Sequence, residues 1–237
     1  MISMSVSLHR RWLGLVVLPT PAAPVRRWAP VRAWRAWRRE QALDVLAMIV
    51  EPDVVEADLA AGRLCCPGCE GPLARWGFAR ERQVRLLDGA RTVTPRRAYC
   101  QRCEATHVLL PAWAVPRRRD GAEVIGEALL CKAQGLGHRR IAARLARPPA
   151  TVRGWLRAFT RRGEIVGSAA RRWTHAIDAS ELGHSRLAGS PLAEAVDALG
   201  IVARACRLRL GMTASPWELA VALTGLLYGR PRDPPGF

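Results

Sequence analysis

From residue 64 to residue 111, apolar and polar residues alternate in short runs separated by turn formers, the period-two pattern of strands. The runs predict strands at 73–78, 83–87, 92–99 and 106–110. Asp88-Gly89, between the second and third runs, is the dipeptide of a tight hairpin. Past residue 121 the period lengthens to that of helices, predicted at 121–134, 138–145, 149–162, 168–181, 190–209 and 215–228. The third of these is the most sharply patterned: Pro149 takes a first helical position, and Val152, Trp155, Leu156 and Phe159 recur at i, i+3, i+4 and i+7. Ser215-Pro216-Trp217-Glu218 reads as a capped helix start. Strands first and helices after predict an α+β fold.

Three stretches escape these periods. Residues 1–47 hold four of the nine tryptophans among Arg, Ala and Pro. A helix fits 31–47, but the composition reads as a disordered or mis-annotated leader, with Met48 opening a more ordinary sequence. His9-Arg10-Arg11 before a short apolar run makes a poor signal peptide, and no run reaches the roughly 18 apolar residues of a membrane span. Residues 112–120 read as a basic linker, and 231–237 as a flexible tail.

The formal charge of +17 is unevenly placed. Residues 1–62 hold eight basic and six acidic side chains, 63–163 hold 21 and seven, and 164–237 hold eight and seven. Of the 37 basic residues 36 are Arg, as a GC-rich genome would give, yet codon bias does not account for the near-neutral flanks. A basic middle segment concentrates polyanions and releases counterions from nucleic-acid phosphates, so a nucleic acid, DNA or RNA, is the expected partner on charge.

Seven cysteines are an odd number, and four of them form two equal pairs: Cys66-Pro67-Gly68-Cys69 and Cys100-Gln101-Arg102-Cys103. Two intervening residues let a tight turn aim both thiolates at one ion, and two such turns complete a closed tetrahedral site. The expectation is one structural Zn2+ on Cys66, Cys69, Cys100 and Cys103, in a ribbon over 48–111 and in a reducing, cytoplasmic compartment. With four protein ligands no position is left for water, so metal-water catalysis is not implied. Cys65 and His107 could each replace a ligand; the simpler reading has Cys65 packed or free and His107 on a strand surface. Cys131 and Cys206, in apolar helical contexts, read as small core residues.

Residues 121–163 fit a helix-turn-helix, with Ala146-Arg147-Pro148 as the turn. The apolar stripe of 149–162 must face its partner helices, which leaves Ala150, Thr151, Arg153, Gly154 and Arg157 outward. Thr151 and Arg153, with Ala150 beside them, are the candidates for base edges. Arg139, Arg140, Arg147, Arg157, Arg161 and Arg162 are the candidates for phosphates. Residues 164–237 read as a helical C-terminal segment, with Ile201, Val202, Leu208, Leu210, Leu219, Leu223 and Leu226 as candidates for a buried face and homodimerisation as one use of it.

The cysteine pairs, Thr106-His107-Val108-Leu109-Leu110-Pro111, His138-Arg139-Arg140-Ile141-Ala142 and Thr151-Val152-Arg153-Gly154-Trp155-Leu156 together resemble a bacterial family of uncharacterised zinc-ribbon/helix-turn-helix proteins. The same run, about residues 48–162, is similar to the N-terminal DNA-binding part of some insertion-sequence transposases. The resemblance implies the zinc-ribbon and helix-turn-helix architecture, and with the charge and the helix pattern it leads to DNA binding as the expectation, by a transcription regulator or a targeting protein of a mobile element. A truncated or divergent transposase component and a protein-interaction module are the alternatives. Asp178, Glu181, Glu194, Asp197 and Glu218 lack the strand context of a two-metal nuclease, so no catalytic residue, membrane partner or small-molecule substrate is expected.

Overall fold

The computed structural model describes residues 45–48, 52–185, 189–228, 231, 232 and 234. In chain order the elements are β1 (Val45–Met48), α1 (Pro52–Ala60), β2 (Leu73–Phe78), β3 (Arg82–Arg85), β4 (Ala90–Val93), β5 (Arg96–Cys100) and β6 (Thr106–Pro111). There follow α2 (Ala122–Ala133), α3 (His138–Arg144), α4 (Pro149–Thr160), α5 (Gly163–Asp178), a 3-10 turn (Ala179–His184), α6 (Pro191–Leu210) and α7 (Pro216–Thr224). The class is therefore α+β, a small sheet region followed by helices. The chain divides into two units, one of residues up to 81 with 94–111, the other of 82–93 with 112 onward.

In the first unit four strands lie in the order β1-β6-β5-β2, antiparallel except for β1, which runs parallel to β6 with Val45 opposite Val108. Most of the expected leader, 1–44, lies outside the described residues. Its last residues, 45–47, are strand rather than the end of a helix, because their backbone pairs with β6. Under the sheet, Val55 and Leu59 of α1 meet Leu64, Leu73, Ala98 and Leu109, and Cys66 and Cys100 close the cluster. Alternation along β6 puts His107 on the same side as Leu109, so it is 2% exposed rather than on the strand surface as expected.

The run 92–99 is two strands, not one. It breaks at Thr94-Pro95, where proline lacks the N–H a continuous ladder needs. The first piece, β4, pairs with β3 across the Asp88-Gly89 turn, and this hairpin belongs to the helical unit although it lies between the cysteine pairs in sequence. Residues 112–120 are no solvated linker either, since Ala112, Ala114, Val115 and Asp120 are all buried.

In the second unit α4 buries Val152, Trp155, Leu156, Ala158 and Phe159, the stripe its sequence predicts. Helix α5 begins at Gly163, five residues before its expected start. Val166, Ala169, Ala170 and Trp173 already carry helical spacing there and are all buried. Helix α6 is capped by Ser190, whose Oγ accepts from Ala193 N at 3.2 Å, and ends on Gly211 in the left-handed region. Helix α7 opens on the Ser215/Glu218 capping box and stops at Gly225, short of the expected 228. The apolar faces of α6 and α7 are used within the chain, against α2, α5 and each other. Leu208, expected in that face, is exposed. Helices α2 and α7 approach closely at Gly126, where a Cβ would lie 2.0 Å from the Trp217 ring. Of the expected tail, 233 and 235–237 lie outside the described residues; Arg232 is held, its carbonyl accepting from Trp173 Nε1 at 2.7 Å and its N–H donating to Leu223 O at 2.9 Å. A buried indole N–H is costly without such an acceptor. Among the described residues no helix is long and apolar enough to cross a membrane.

Candidate metal centre and basic helix face

The two cysteine turns are built alike. Cys66 N–H donates to Gly71 O at 2.8 Å and Cys100 N–H donates to Ala105 O at 2.9 Å, the same five-residue closure. Each turn passes its last ligand through a left-handed residue, Glu70 at φ 62° and Glu104 at φ 58°. A Cβ at Gly71 would lie 2.7 Å from Arg102 Cβ and 3.1 Å from Cys100 Sγ, so only glycine lets the turns approach. The result brings Cys66, Cys69, Cys100 and Cys103 together with all four Sγ atoms within 4.8 Å of one another, close enough to hold one metal ion. The Cys66–Cys103 and Cys69–Cys100 sulfurs are 3.5 and 3.4 Å apart.

Around the sulfurs, Gly68 N–H donates to Cys66 Sγ at 3.4 Å, and His107 Nε2 lies 3.3 Å from the same sulfur. His107 thus stands beside the cluster, outside the set of four. Cys65 is half-buried and also outside it. Burial pushes the Cys66 thiol well above the ordinary range and raises Cys103 to about 11. For Cys100 burial acts upward too, but the Cys103 and Arg102 amides and the Cys69 thiol favour the thiolate and bring it below the ordinary value. A cation entering the cluster therefore displaces protons, which makes its binding pH-dependent. Cys131 and Cys206 are buried in the helical unit as expected, and burial raises Cys206 to about 12.

In the helical unit the turn 145–148 reverses the chain through Ala146 at φ 49°, and α4 starts on Pro149. Opposite its buried stripe α4 exposes Ala150, Arg153, Gly154, Arg157 and Arg161, with Thr151 half-exposed. Arg139 and Arg140 of α3 are exposed as well. Arg153, Arg157 and Arg161, together with Lys132, His138 and Thr160, line an open groove of about 640 Å³. Lys132 and His138 were not among the expected contact residues; both flank the Gly135–Gly137 break, the local signal that could have marked them.

Two expected phosphate contacts turn inward instead. Arg147 donates from Nε to Asp120 Oδ1 at 2.6 Å and from its terminal nitrogens to the carbonyls of Leu86, Leu145 and Ala146. Arg162, half-buried, donates from Nε to Leu226 O at 3.2 Å. A buried carboxylate and the carbonyls that end helices and strands need donors, and these two guanidinia supply them. Four of the five C-terminal carboxylates singled out above are engaged: Asp178 with Arg209, Glu181 with Arg204, Asp197 with the Ser185 hydroxyl, and Glu218 with the Ser215 N–H.

Residues 66–146 match the sequence profile of DUF6431, a domain of unknown function. The match begins on the first cysteine of the cluster and ends in the turn before α4. No curated protein and no solved structure matches the chain.

Proposed function

We propose that this chain is a zinc-stabilised DNA-binding protein whose α3-turn-α4 segment acts as a helix-turn-helix. The exposed basic face of α4, opposite its buried stripe and reached through a tight turn, is the observation that carries this reading. Arg153 and Thr151, in the N-terminal half of α4, are placed for base edges; Arg157, Arg161, Arg139 and Arg140 are placed for phosphates.

Zinc is the ion proposed for the cysteines. Soft thiolates in two CxxC turns select it, and bonds of about 2.3 Å to a tetrahedral ion need sulfur–sulfur edges of roughly 3.8 Å, compatible with the observed spread. The ion would be structural, cross-linking the two turns. The test is binding of the full chain, assayed for metal, to random duplex DNA over a salt series beside Arg153→Ala/Arg157→Ala. A steep slope of log K against log salt that the double variant lowers is expected; a folded, metal-loaded chain that ignores DNA would overturn the reading.

A second reading concerns the cysteine unit alone. Trp76 and Phe78 are 57% and 62% exposed, with Trp76 stacked on Tyr99 at 4.9 Å and Arg96 4.4 Å over the Phe78 ring. Exposed aromatics on a unit whose residues from Pro52 carry equal numbers of arginines and carboxylates favour a protein partner for that face.

A further inference from the structure

Asp120 is 2% exposed. A lone carboxylate at that depth is costly, and here two guanidinia neutralise it: Arg85 Nη2 donates to Oδ2 and Arg147 Nε donates to Oδ1, each at 2.6 Å. Arg85 comes from β3, and Arg147 from the turn two residues ahead of α4. Backbone bonds extend the clamp, with Arg85 N–H donating to Arg119 O at 2.7 Å and Gly121 N–H donating to Arg85 O at 2.9 Å. Arg118 lies 4.4 Å over the Tyr228 ring, which anchors the middle of the three consecutive arginines. Its neighbours Arg117 and Arg119 are exposed, and Arg117 holds φ at 59°, in the left-handed region that side chains rarely adopt.

We infer that Arg117 and Arg119 form a second phosphate-contacting element of the same duplex-binding surface, and that buried Asp120 is the positioning residue that holds it beside the start of α4. The inference rests on the DNA-binding reading. Its ligand is the phosphate backbone flanking the groove that α4 enters, because arginines on a short pinned loop give charge without the projection base reading needs. Asp120 never meets DNA. It acts by placing both the loop and the turn before α4.

The experiment measures salt slopes for the full metal-loaded chain on a random duplex. Arg117→Ala/Arg119→Ala is expected to lower the slope by about two, one per lost phosphate contact. Asp120→Asn separates positioning from simple charge: deleting a carboxylate should tighten binding to a polyanion, whereas loss of positioning lowers both affinity and slope at temperatures where the helices stay folded. An unchanged slope in the double arginine variant, while Arg153→Ala/Arg157→Ala still lowers it, overturns the inference and leaves the parent reading standing. Tighter binding by folded Asp120→Asn overturns the positioning role. Should the wild-type chain show no salt-dependent binding, the parent reading falls and this inference with it. If Asp120→Asn fails to fold, the double arginine variant, altered only at exposed positions, carries the test.

Discussion

In the cysteine-bearing unit the core under the sheet is a handful of aliphatic side chains closed by Cys66 and Cys100, and over the residues from Pro52 its six arginines face six carboxylates. The helical unit instead buries Trp155, Phe159, Trp173, Ile125, Leu129, Leu199 and Leu219, and residues 82–93 with 112–163 carry fifteen basic side chains against four acidic ones. Among the described residues one region thus has a small apolar core and gains a cross-link that an ion can supply; the other has a larger core and can devote its surface to charge. The sequence alone spread the positive charge over the whole middle segment. The division of the chain assigns it to the helical unit together with a hairpin taken from between the cysteine pairs.

Metal removal should break the comparison most sharply. A structural zinc of the kind proposed would contribute on the order of 10 kcal/mol, so chelation, or Cys100→Ser, should unfold the cysteine unit while far-ultraviolet dichroism keeps most of its helical signal. Loss of both together would show that the helices depend on the metal. On the helical side, Trp155→Ala should cost about 3–5 kcal/mol in denaturant unfolding and leave the metal content at one ion per chain. Gly126→Ala must displace the Trp217 ring and should cost about 1–3 kcal/mol, read from the same melts; a neutral result would mean the ring moves freely.

The smallest effect is a surface pair. The Arg209 side chain, with help from Ser180, holds the Asp178 carboxyl at about 2, below its ordinary 3.8. A folded value lower than the unfolded one stabilises above pH 4 and is lost as pH falls toward 2. Arg209 is exposed and Asp178 half-buried, so Asp178→Asn should shift the denaturant midpoint only modestly at pH 6, and the gap to wild type should close toward pH 2. A gap that persists at pH 2 would assign the effect to packing.

What was legible in the chain was local. The CxxC turns, the stripe of α4 and the capping box of α7 are each written within a few residues, and each has the geometry its spacing requires. The fates of His107, Arg147 and Arg162 were not legible, because each was judged by residue type and immediate neighbours. Arg147 reads as one more basic residue in a basic helix pair until Leu86, 61 residues away in sequence, supplies its carbonyl. Lys132 and His138 join the groove only because α2, α3 and α4 pack together.

By itself, then, the sequence determined the α+β class, the four cysteines that can share an ion, and the apolar face of α4, because side-chain periodicity and short-range turn geometry are properties of neighbouring residues. Only the tertiary structure decided which unit owns the β3–β4 hairpin, which arginines reach solvent and which neutralise Asp120, and that His107 lies against the cluster. Those outcomes follow from burial, which penalises a polar group left without a partner and so favours folds that bring one within reach.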